Sequence, residues 1–298
     1  MLFFPMNDFL IIYNPVSGQG KVEKIIKKTE NLFKNKNYTI KQTKYKGHTR
    51  ELCQTTENYK YIIIIGGDGT FNEAINGLMK NKSTSMPIIG FLPGGTGNSF
   101  MHDLKATSFI DAANIILSGQ TKKIDILKLD FFNKIEYSLN IVGWGMVADI
   151  NILSEKLRFI GSSRYTIASL YYVFNTYPRK AKIIIDGKEQ ISEFLFILNL
   201  NTIHTGKGMK AAPKALLDDG LMDIIILRPT ITKFQLLNLL PKIYTGDHIH
   251  SQHIEYMQAK KIEIYPMRDE ILNIDGEMKC KTPVSISLQP RKINIFST

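Results

Sequence analysis

The chain has few cysteines, no long apolar run and no phosphate-binding loop of the Walker type. Its two cysteines, Cys53 and Cys280, have no metal-ligand spacing and no pairing pattern, which excludes a disulfide framework and predicts a reducing, cytoplasmic location. No stretch approaches the roughly 18 consecutive apolar residues of a membrane span, so no spanning helix is predicted. The apolar start, residues 1–4, is broken by Pro5 and lacks a basic segment, so no secretory signal is expected.

Acidic residues are also scarce relative to basic ones. The chain has 27 aspartates and glutamates against 38 lysines and arginines, which gives a net charge of +11. A positive surplus of this size favours polyanionic partners such as nucleotides, nucleic acids or anionic lipid head groups. The sequence has no nucleic-acid-binding motif and no pattern of base-stacking aromatic residues, so no nucleic-acid partner is expected. A charge scattered over the surface for solubility is the alternative interpretation.

The most informative segment is a strand that ends in glycines. Residues 61–65 are strand-forming, and Gly66-Gly67-Asp68-Gly69-Thr70 follows them, with a helical apolar pattern starting at once. Glycines let backbone N–H groups approach a ligand closely, and a helix N-terminus favours an anion. Because Asp68 would repel a bare phosphate, the arrangement predicts a nucleotide phosphate with a divalent cation. The alternative is a tight strand-to-helix turn whose glycines serve only the bend.

A second loop of similar composition supports the phosphate interpretation. Residues 87–92 are typical of another buried strand, and they lead into Pro93-Gly94-Gly95-Thr96-Gly97-Asn98. Two strands that each end in a Gly/Thr/Asn loop, so close together in the chain, are hard to explain by packing alone. Neither loop is followed by Lys-Ser or Lys-Thr, which excludes the Walker mechanism.

The pattern of the chain changes near residue 124. Strands alternate with helices through residues 1–123, which predicts an α/β domain with a mostly parallel sheet and ligands at the carboxyl ends of its strands. Period-two strands then predict an antiparallel β-sandwich over residues 124–288, interrupted by helices at residues 164–175 and 232–244. The tail, from about residue 289 to 298, can pack back on the first domain. A substrate cleft between the two halves is expected.

Three further motifs each have two interpretations. Asp275-Gly276-Glu277 is a hairpin turn, or it positions Glu277 as a general base near a γ-phosphate. The turn at residues 216–221, with Asp219, is a solvated loop or a site for a hard cation. The sequence of residues 143–148 satisfies GxGxxA, but its surroundings look antiparallel and no acidic residue closes a βαβ unit, so a dinucleotide site is not predicted there.

Several motifs together resemble the diacylglycerol kinase catalytic-domain superfamily. They are the two glycine loops, Asn14-Pro15-x-Ser17-Gly18, Thr43 with His48 as the family's T-x4-H segment, and Asp275-Gly276-Glu277. The superfamily includes bacterial diacylglycerol kinases and the sphingosine and ceramide kinases, and the resemblance covers nearly the full chain. It implies an NAD-kinase-like α/β nucleotide-binding domain followed by an antiparallel β-sandwich lipid-binding domain.

The resemblance also implies a set of site residues. Contacts with ATP are implied at Asn14, Pro15, Ser17, Gly18, Thr43, Gly66, Gly67, Asp68, Gly69, Thr70, Asn72, Gly95, Thr96 and Asn98. Glu277 is implied as the proton acceptor, with Asp68 as the alternative base and as a member of a magnesium and phosphate network that Asp125 extends. Asp219, with the carbonyls of Leu216 and Leu221, is implied as a structural magnesium site.

Two positions bear on the metal and the acceptor. Ser99 stands where the bacterial pattern usually has an aspartate, which leaves the membership of the metal network open. Asp149 lies where sphingosine and ceramide kinases use an aspartate to hold the lipid head group, with a helix-capping aspartate as the alternative.

The activity that the resemblance implies is an ATP- and magnesium-dependent lipid kinase. The acceptor is the primary hydroxyl of diacylglycerol or of a sphingosine-like long-chain base. An NAD kinase and a non-catalytic lipid- or nucleotide-binding regulator are the alternatives. Peripheral contact with the membrane that presents the lipid is expected, and a homodimer is left open.

Overall fold

The computed structural model of the protein describes residues 8–20, 22–83, 85–95, 97–206 and 208–298. The chain divides into two units, Met1–Asp125 with Arg291–Thr298, and Ile126–Pro290. The sequence analysis placed this boundary between residues 123 and 124 and allowed a tail from about residue 289 to pack on the first domain. The predicted nucleotide contact at Thr96 lies outside the described residues.

Parallel strands with intervening helices build the first unit. The strands are β1 (Phe9–Tyr13), β2 (Tyr38–Gln42), β3 (Tyr61–Gly66) and β4 (Ile88–Pro93). The helices are α1 (Val22–Phe33), α2 (His48–Gln54), α3 (Asp68–Leu78), α4 (Ser99–Asp103) and α5 (Phe109–Ser118), with a 3-10 turn at Ser17–Gly20. The sheet order is β2-β1-β3-β4 with parallel neighbours, and Ile295 near the chain end pairs in parallel with Ile89.

The core of this unit follows from its apolar patterning. Isoleucines 62–65 of β3 have no exposed surface, as expected for a parallel strand covered on both faces. Helix α3 buries Phe71, Ala74, Ile75 and Leu78, the i, i+3, i+4, i+7 positions of one face. A Cβ at Gly77 would lie 2.3 Å from Arg50 O, so this glycine lets α3 approach α2 closely. Helix α3 begins at Asp68, within the first glycine loop.

Antiparallel strands and a helical insertion build the second unit. Its strands are β5 (Thr121–Phe131), β6 (Lys134–Ser138), β7 (Ile141–Gly145), β8 (Arg179–Ile185), β9 (Lys188–Phe194), β10 (Phe196–Leu200), β11 (His204–Thr205), β12 (Met209–Lys210), β13 (Met222–Leu227), β14 (Ile254–Ala259), β15 (Lys261–Pro266), β16 (Ile271–Ile274), β17 (Glu277–Lys281) and β18 (Val284–Phe296). Strand β5 begins, and β18 ends, in residues assigned to the first unit. The helices are α6 (Met146–Lys156), α7 (Arg164–Asn175), α8 (Lys233–Leu239) and α9 (Lys242–Thr245), with 3-10 turns at Arg158–Ser163 and Asp247–His250.

Two sheets of this unit face each other across an apolar core. One has the order β14-β13-β10-β7-β16-β17, and the other contains β18-β15-β8-β9 with β5 paired to β18 and β6. Buried residues of both sheets, among them Trp144, Phe194 and Ile264, form one cluster. The predicted combination of an α/β unit and an antiparallel β-sandwich is therefore confirmed.

The helical insertions differ in part from the expectation. Helix α7 has its predicted bounds, but the helix predicted at residues 232–244 is split into α8 and α9 near Pro241. Helix α6 was not predicted; it begins directly after β7 at Gly145, whose φ is 85°. Strand β7 is antiparallel to both β10 and β16, so the GxGxxA sequence does not open a parallel βαβ unit. Among the described residues, no helix has the length and apolar character to cross a membrane.

Candidate functional site

The predicted nucleotide contacts of the first unit gather at the carboxyl ends of its strands. Backbone hydrogen bonds join these ends: the Thr43 N–H donates to Tyr13 O at 2.9 Å, and the Asn14 N–H donates to Ile65 O at 3.2 Å. All four strands are parallel, so their carboxyl ends meet at one edge of the sheet. The sequence therefore brings Asn14, Thr43 and both glycine loops to the same edge.

The two glycine loops contact each other through their backbones. The Gly94 N–H donates to Gly66 O at 2.7 Å. A Cβ added to Gly95 would lie 2.6 Å from Gly67 Cα, well inside the roughly 3.5–4.0 Å at which carbon atoms normally touch. Side chains are excluded here, so the loops meet as bare backbone. That is the surface on which N–H groups can cradle a phosphate chain.

Asp68 begins helix α3, and its carboxylate reaches the segment after the second loop. Its Oδ2 accepts a hydrogen bond from Ser99 Oγ at 3.3 Å, and its Oδ1 accepts one from the Phe100 N–H at 3.4 Å. A Cβ on Gly97 would lie 3.0 Å from Oδ2. Ser99 thus supplies a donor to Asp68 at the position where the bacterial pattern usually has a second carboxylate.

Asn14 and Thr70 connect the end of β1 to the first turn of α3, which also contains Gly69. Asn14 Nδ2 lies 3.5 Å from Thr70 Oγ1, and Asn14 Oδ1 accepts from the Val16 N–H at 3.1 Å. The Ser17 N–H donates to Asn14 O at 3.1 Å. The segment that follows, with Pro15 and a left-handed Gly18 (φ 62°), turns the chain into the 3-10 turn at Ser17–Gly20.

Two residues predicted to contact the nucleotide, Asn98 and Asn72, form hydrogen bonds with other groups of the protein. Asn98 fixes the second loop, because its Oδ1 accepts from the Gly95 N–H at 3.2 Å and its Nδ2 donates to Gly95 O at 2.9 Å. Asn72 is buried, and its Oδ1 accepts from Asn76 Nδ2 at 3.2 Å along α3. Their contacts with a nucleotide stay predictions.

Asp125, the predicted extension of the metal network, is fully buried. Its Oδ1 accepts a hydrogen bond from the Arg291 N–H at 2.6 Å, which fastens the chain end to β5. The hydrogen bond observed for this carboxylate therefore holds two segments of the chain together. Its role as a metal ligand stays a prediction.

In the second unit, an Asp-Gly turn places Glu277 at the start of β17. Asp275 and Gly276 have φ values of 50° and 86°, the left-handed conformation that a two-residue hairpin turn of this kind requires. The buried Asp275 carboxylate accepts four hydrogen bonds, at 2.7 Å from Ser138 Oγ and at 2.9 Å from the N–H groups of residues 139–141. The hairpin interpretation is thus observed, and the same turn gives Glu277 a fixed position.

Glu277 is connected through Lys279 to charged side chains that the sequence analysis did not single out. Its side chain is 26% exposed, and Lys279 Nζ lies 3.5 Å from its Oε2. Lys279 also lies 4.0 Å from Glu136, which is fully buried and lies 3.0 Å from Lys134 Nζ. The only sequence signal for Glu136 was a carboxylate at an inward-facing position of a period-two strand.

In the acidic turn at residues 216–221, the Asp219 side chain bonds to the backbone of the turn. Asp219 Oδ1 accepts from the Leu221 N–H at 3.0 Å, whereas the Leu216 side chain is 58% exposed. Nearby Asp223 is buried and accepts a 2.6 Å bond from the Tyr256 hydroxyl, and burial raises the pKa of Asp223 to about 6. No group of three His, Cys, Asp or Glu side chains in the described part of the chain could hold a metal. A cation at this turn would therefore depend on Asp219 with carbonyl oxygens.

Asp149, the predicted head-group ligand, lies in the first turn of α6 and forms an ion pair with Arg179. The Arg179 side chain is buried, with Nε 2.8 Å from Glu270 Oε2 and the guanidinium 4.1 Å from the Tyr177 ring centroid. Burial raises the pKa of Glu270. Because Gly145 is the N-cap residue of α6, Asp149 lies inside the helix, and the capping alternative is wrong. Its contact with a substrate stays a prediction.

Two protein-family models match the chain in succession. The diacylglycerol kinase catalytic domain matches residues 8–129, and the YegS C-terminal NAD kinase beta sandwich-like domain matches residues 140–297. The chain is 30% identical over 297 residues to a diacylglycerol kinase of Staphylococcus aureus (strain bovine RF122 / ET3-1), covering 96% of this chain and 91% of that protein. It is 26% identical over 329 residues to sphingosine kinase 1 of Arabidopsis thaliana, covering 90% and 68%.

Solved structures share the fold. A crystal structure of a diacylglycerol kinase from Bacillus anthracis str. Sterne superimposes with a TM-score of 0.78 at 24% identity, covering 99% of this chain and 98% of that one. An NAD kinase from Archaeoglobus fulgidus, in complex with ATP, superimposes with a TM-score of 0.52 at 13% identity, covering 97% and 93%. At these identities both likenesses concern the fold alone, and they agree with the α/β unit and the sandwich described above.

Proposed function

Since this chain belongs to the diacylglycerol kinase catalytic-domain family, we propose that it is a lipid kinase that transfers the γ-phosphoryl group of ATP to a lipid hydroxyl. The observation that carries this proposal is the junction at Gly67 and Gly95, where two loops meet as bare backbone at the strand ends. Relatives named diacylglycerol kinase and sphingosine kinase support a lipid acceptor. We propose the primary hydroxyl of diacylglycerol or of a sphingosine-like base, presented at a membrane surface.

Phosphoryl transfer depends mainly on positioning and on electrostatic stabilisation of the transferring group. In this proposal the loop N–H groups hold the phosphates of ATP. The oxygen ligands of the site suit Mg²⁺, with Asp68 as the principal ligand and Asp125 as a second candidate. Bound Mg²⁺ would neutralise charge on the transferring phosphoryl group. A separate structural Mg²⁺ would be held by Asp219 with the carbonyls of Leu216 and Leu221.

Glu277 is the proposed general base. Its carboxylate takes the proton of the acceptor hydroxyl as the oxygen attacks the γ-phosphorus, and the bond from that phosphorus to the β,γ-bridging oxygen breaks to release ADP. The turn anchored by Asp275 fixes the Glu277 backbone, and Lys279 supplies a cation beside the carboxylate. Asp68 is the alternative base.

Conservative substitutions test these roles. Glu277→Gln and Asp68→Asn are each expected to lower kcat at least about a hundredfold, the usual scale of general acid–base catalysis, without lowering the melting temperature. Glu189→Gln, an exposed carboxylate on β9, is the matched control and is expected to keep parental kcat. Near-parental turnover in both site variants would remove the site assignment.

NAD kinase activity, the alternative expected from the sequence, is the second candidate, and the fold shared with the Archaeoglobus fulgidus enzyme is compatible with it. The full chain should be incubated with γ-labelled ATP, Mg²⁺ and, in parallel, NAD or detergent-dispersed diacylglycerol, monoacylglycerol, sphingosine, ceramide or undecaprenol. Label in a lipid phosphate is the expected result and identifies the acceptor. Label in the dinucleotide alone would establish the second candidate, and nucleotide binding without any transfer would indicate a non-catalytic regulator.

A further inference from the structure

Helix α7 carries apolar residues on two opposite faces. Ala168 and Val173 are buried, and Val173 shares an apolar cluster with Leu236 of the neighbouring helix α8. Ile167, Leu170, Tyr171 and Phe174 recur at i, i+3, i+4 and i+7 and are between 40% and 52% exposed. This spacing places the four side chains on one stripe of the helix, where a surface helix normally carries polar residues.

Two more exposed aromatic side chains belong to elements that contact α7. Phe159, in the 3-10 turn that leads into α7, is 83% exposed, and Phe234 of α8 is 76% exposed. We call the stripe and these two phenylalanines the α7 surface. Single exposed apolar residues are ordinary, but a continuous exposed apolar stripe on one helix marks an interaction site.

Basic residues outnumber acidic ones in the segments of sequence that carry this surface. Residues 155–178 include Lys156, Arg158, Arg164 and one acidic residue, Glu155, which forms ion pairs with both arginines. Residues 229–246, which contain α8 and α9, include Lys233 and Lys242 and no acidic residue. An apolar helix face with flanking Lys and Arg is the chemistry that binds an interface of anionic lipids.

We propose that the α7 surface is the face with which the protein docks on a bilayer that contains anionic lipids. The proposal rests on the proposed function, because a lipid kinase must reach an acceptor that resides in the bilayer. Tyr171 adds a side chain that prefers the boundary between acyl chains and water. The proposal thereby assigns membrane contact to one face of the second unit.

Helix α1 is the other basic candidate for membrane contact, and it fits less well. It carries Lys24, Lys27 and Lys28, but every apolar side chain within Val22–Phe33, all of which is described, is buried or half-buried. Such a helix offers charge without side chains that can enter the acyl region. The α7 surface offers both.

A second copy of the chain is the competing occupant. A two-fold interface brings the same patch of both protomers together. It would place residues 155–178 and 229–246, which together have five basic residues and one acidic residue, opposite the same positively charged segments of the other copy. Like charges across an interface are unfavourable, whereas an anionic membrane complements them.

Vesicle sedimentation of the full chain tests the proposal. The vesicles are phosphatidylcholine alone or mixed with phosphatidylglycerol, and the variant is Ile167→Ser/Tyr171→Ser/Phe174→Ser. Its partition onto the mixed vesicles is expected to fall at least about tenfold, which is about 1.4 kcal/mol. The control, Ile110→Ser/Leu117→Ser, removes apolar residues of α5 that are 65% and 53% exposed, and it is expected to bind like the parent. Lys156→Gln/Lys233→Gln is expected to weaken binding to the mixed vesicles only.

A fluorescence measurement gives an answer that does not depend on the triple variant. The single tryptophan of the chain, Trp144, is fully buried and supplies a constant background. Phe159→Trp is expected to show a blue-shifted, brighter emission on mixed vesicles, and Ile110→Trp is expected to show none. Unchanged emission of Phe159→Trp on bound vesicles would overturn the proposal. So would parental binding by the triple variant, or a dimer that dissociates in the triple variant while vesicle binding persists.

Activity measurements separate this proposal from the proposed function. The triple variant is expected to lose at least about tenfold in transfer to vesicle-embedded lipid and to keep parental transfer to detergent-dispersed lipid. A chain that inserts residue 159 but phosphorylates no lipid would support docking and contradict the kinase proposal. A chain that phosphorylates dispersed lipid but does not insert residue 159 would support the kinase proposal and contradict docking.

Discussion

Replacing Gly95 with alanine is expected to force the two glycine loops apart. The new Cβ would lie 2.6 Å from Gly67 Cα and 3.0 Å from Asn98 Oδ1. Carbon atoms settle at about 3.5–4.0 Å, so the loops must separate by about 1 Å. A misplacement of about 1 Å can cost about a hundredfold in rate, so kcat/KM for ATP-dependent transfer is expected to fall by about that factor.

A matched substitution separates loop position from general stability. In Gly90→Ala the new Cβ also meets an atom at 2.6 Å, but that atom is Ile63 Cδ1, a side-chain end on β3. This variant is expected to lose about 1–3 kcal/mol of unfolding free energy through overpacking and to keep kcat/KM within a few fold. Steady-state transfer over an ATP titration, with thermal melts of both variants, provides the comparison. Parental kcat/KM in Gly95→Ala, or an equal loss in Gly90→Ala, would refute the reasoning.

Three further predictions concern stability, pH and the acceptor. Asp275→Ala is expected to lower the unfolding free energy by about 3 kcal/mol or more in urea titrations, because four donors lose their acceptor, and a loss below about 1 kcal/mol would contradict this. Burial lowers the pKa of His248 from its ordinary 6.5, so the unfolded chain takes up the proton first as the pH falls. Stability should then decrease below about pH 6.5, by at most about 1.4 kcal/mol per pH unit, and His248→Gln should lack this contribution in melts across that range. Asp149→Asn is expected to raise the KM for the lipid at least about tenfold and to leave the KM for ATP unchanged; unchanged values for both would exclude the head-group role.

Local sequence signals were sufficient for the strands of the first unit, whereas helix α4 was not predicted. The run of isoleucines in β3, buried on both faces, indicates a parallel strand. The glycines after it indicate that another group approaches the backbone closely. The bounds of α7 were also readable, because its apolar residues keep a helical period from Arg164 to Asn175. The split near Pro241 was not assigned, because an apolar period continues across that proline.

The remaining features depend on contacts between distant parts of the chain. Asp275 reads as an ordinary turn residue, yet its carboxylate binds a loop more than 130 residues earlier. The sequence offered a head-group ligand or a helix cap for Asp149, and neither interpretation predicted its ion pair with Arg179 of β8. The sequence period of α7 identifies its apolar faces, but it does not show which face packs against the rest of the unit. That depends on tertiary packing.

A crystal structure with Mg²⁺ and a non-hydrolysable ATP analogue tests the central claim most directly. The account predicts that the β- and γ-phosphates accept hydrogen bonds from backbone N–H groups of residues 66–70 and 94–98, beside the Asp68 carboxylate. A nucleotide that binds elsewhere, with both glycine loops free of phosphate, would contradict it.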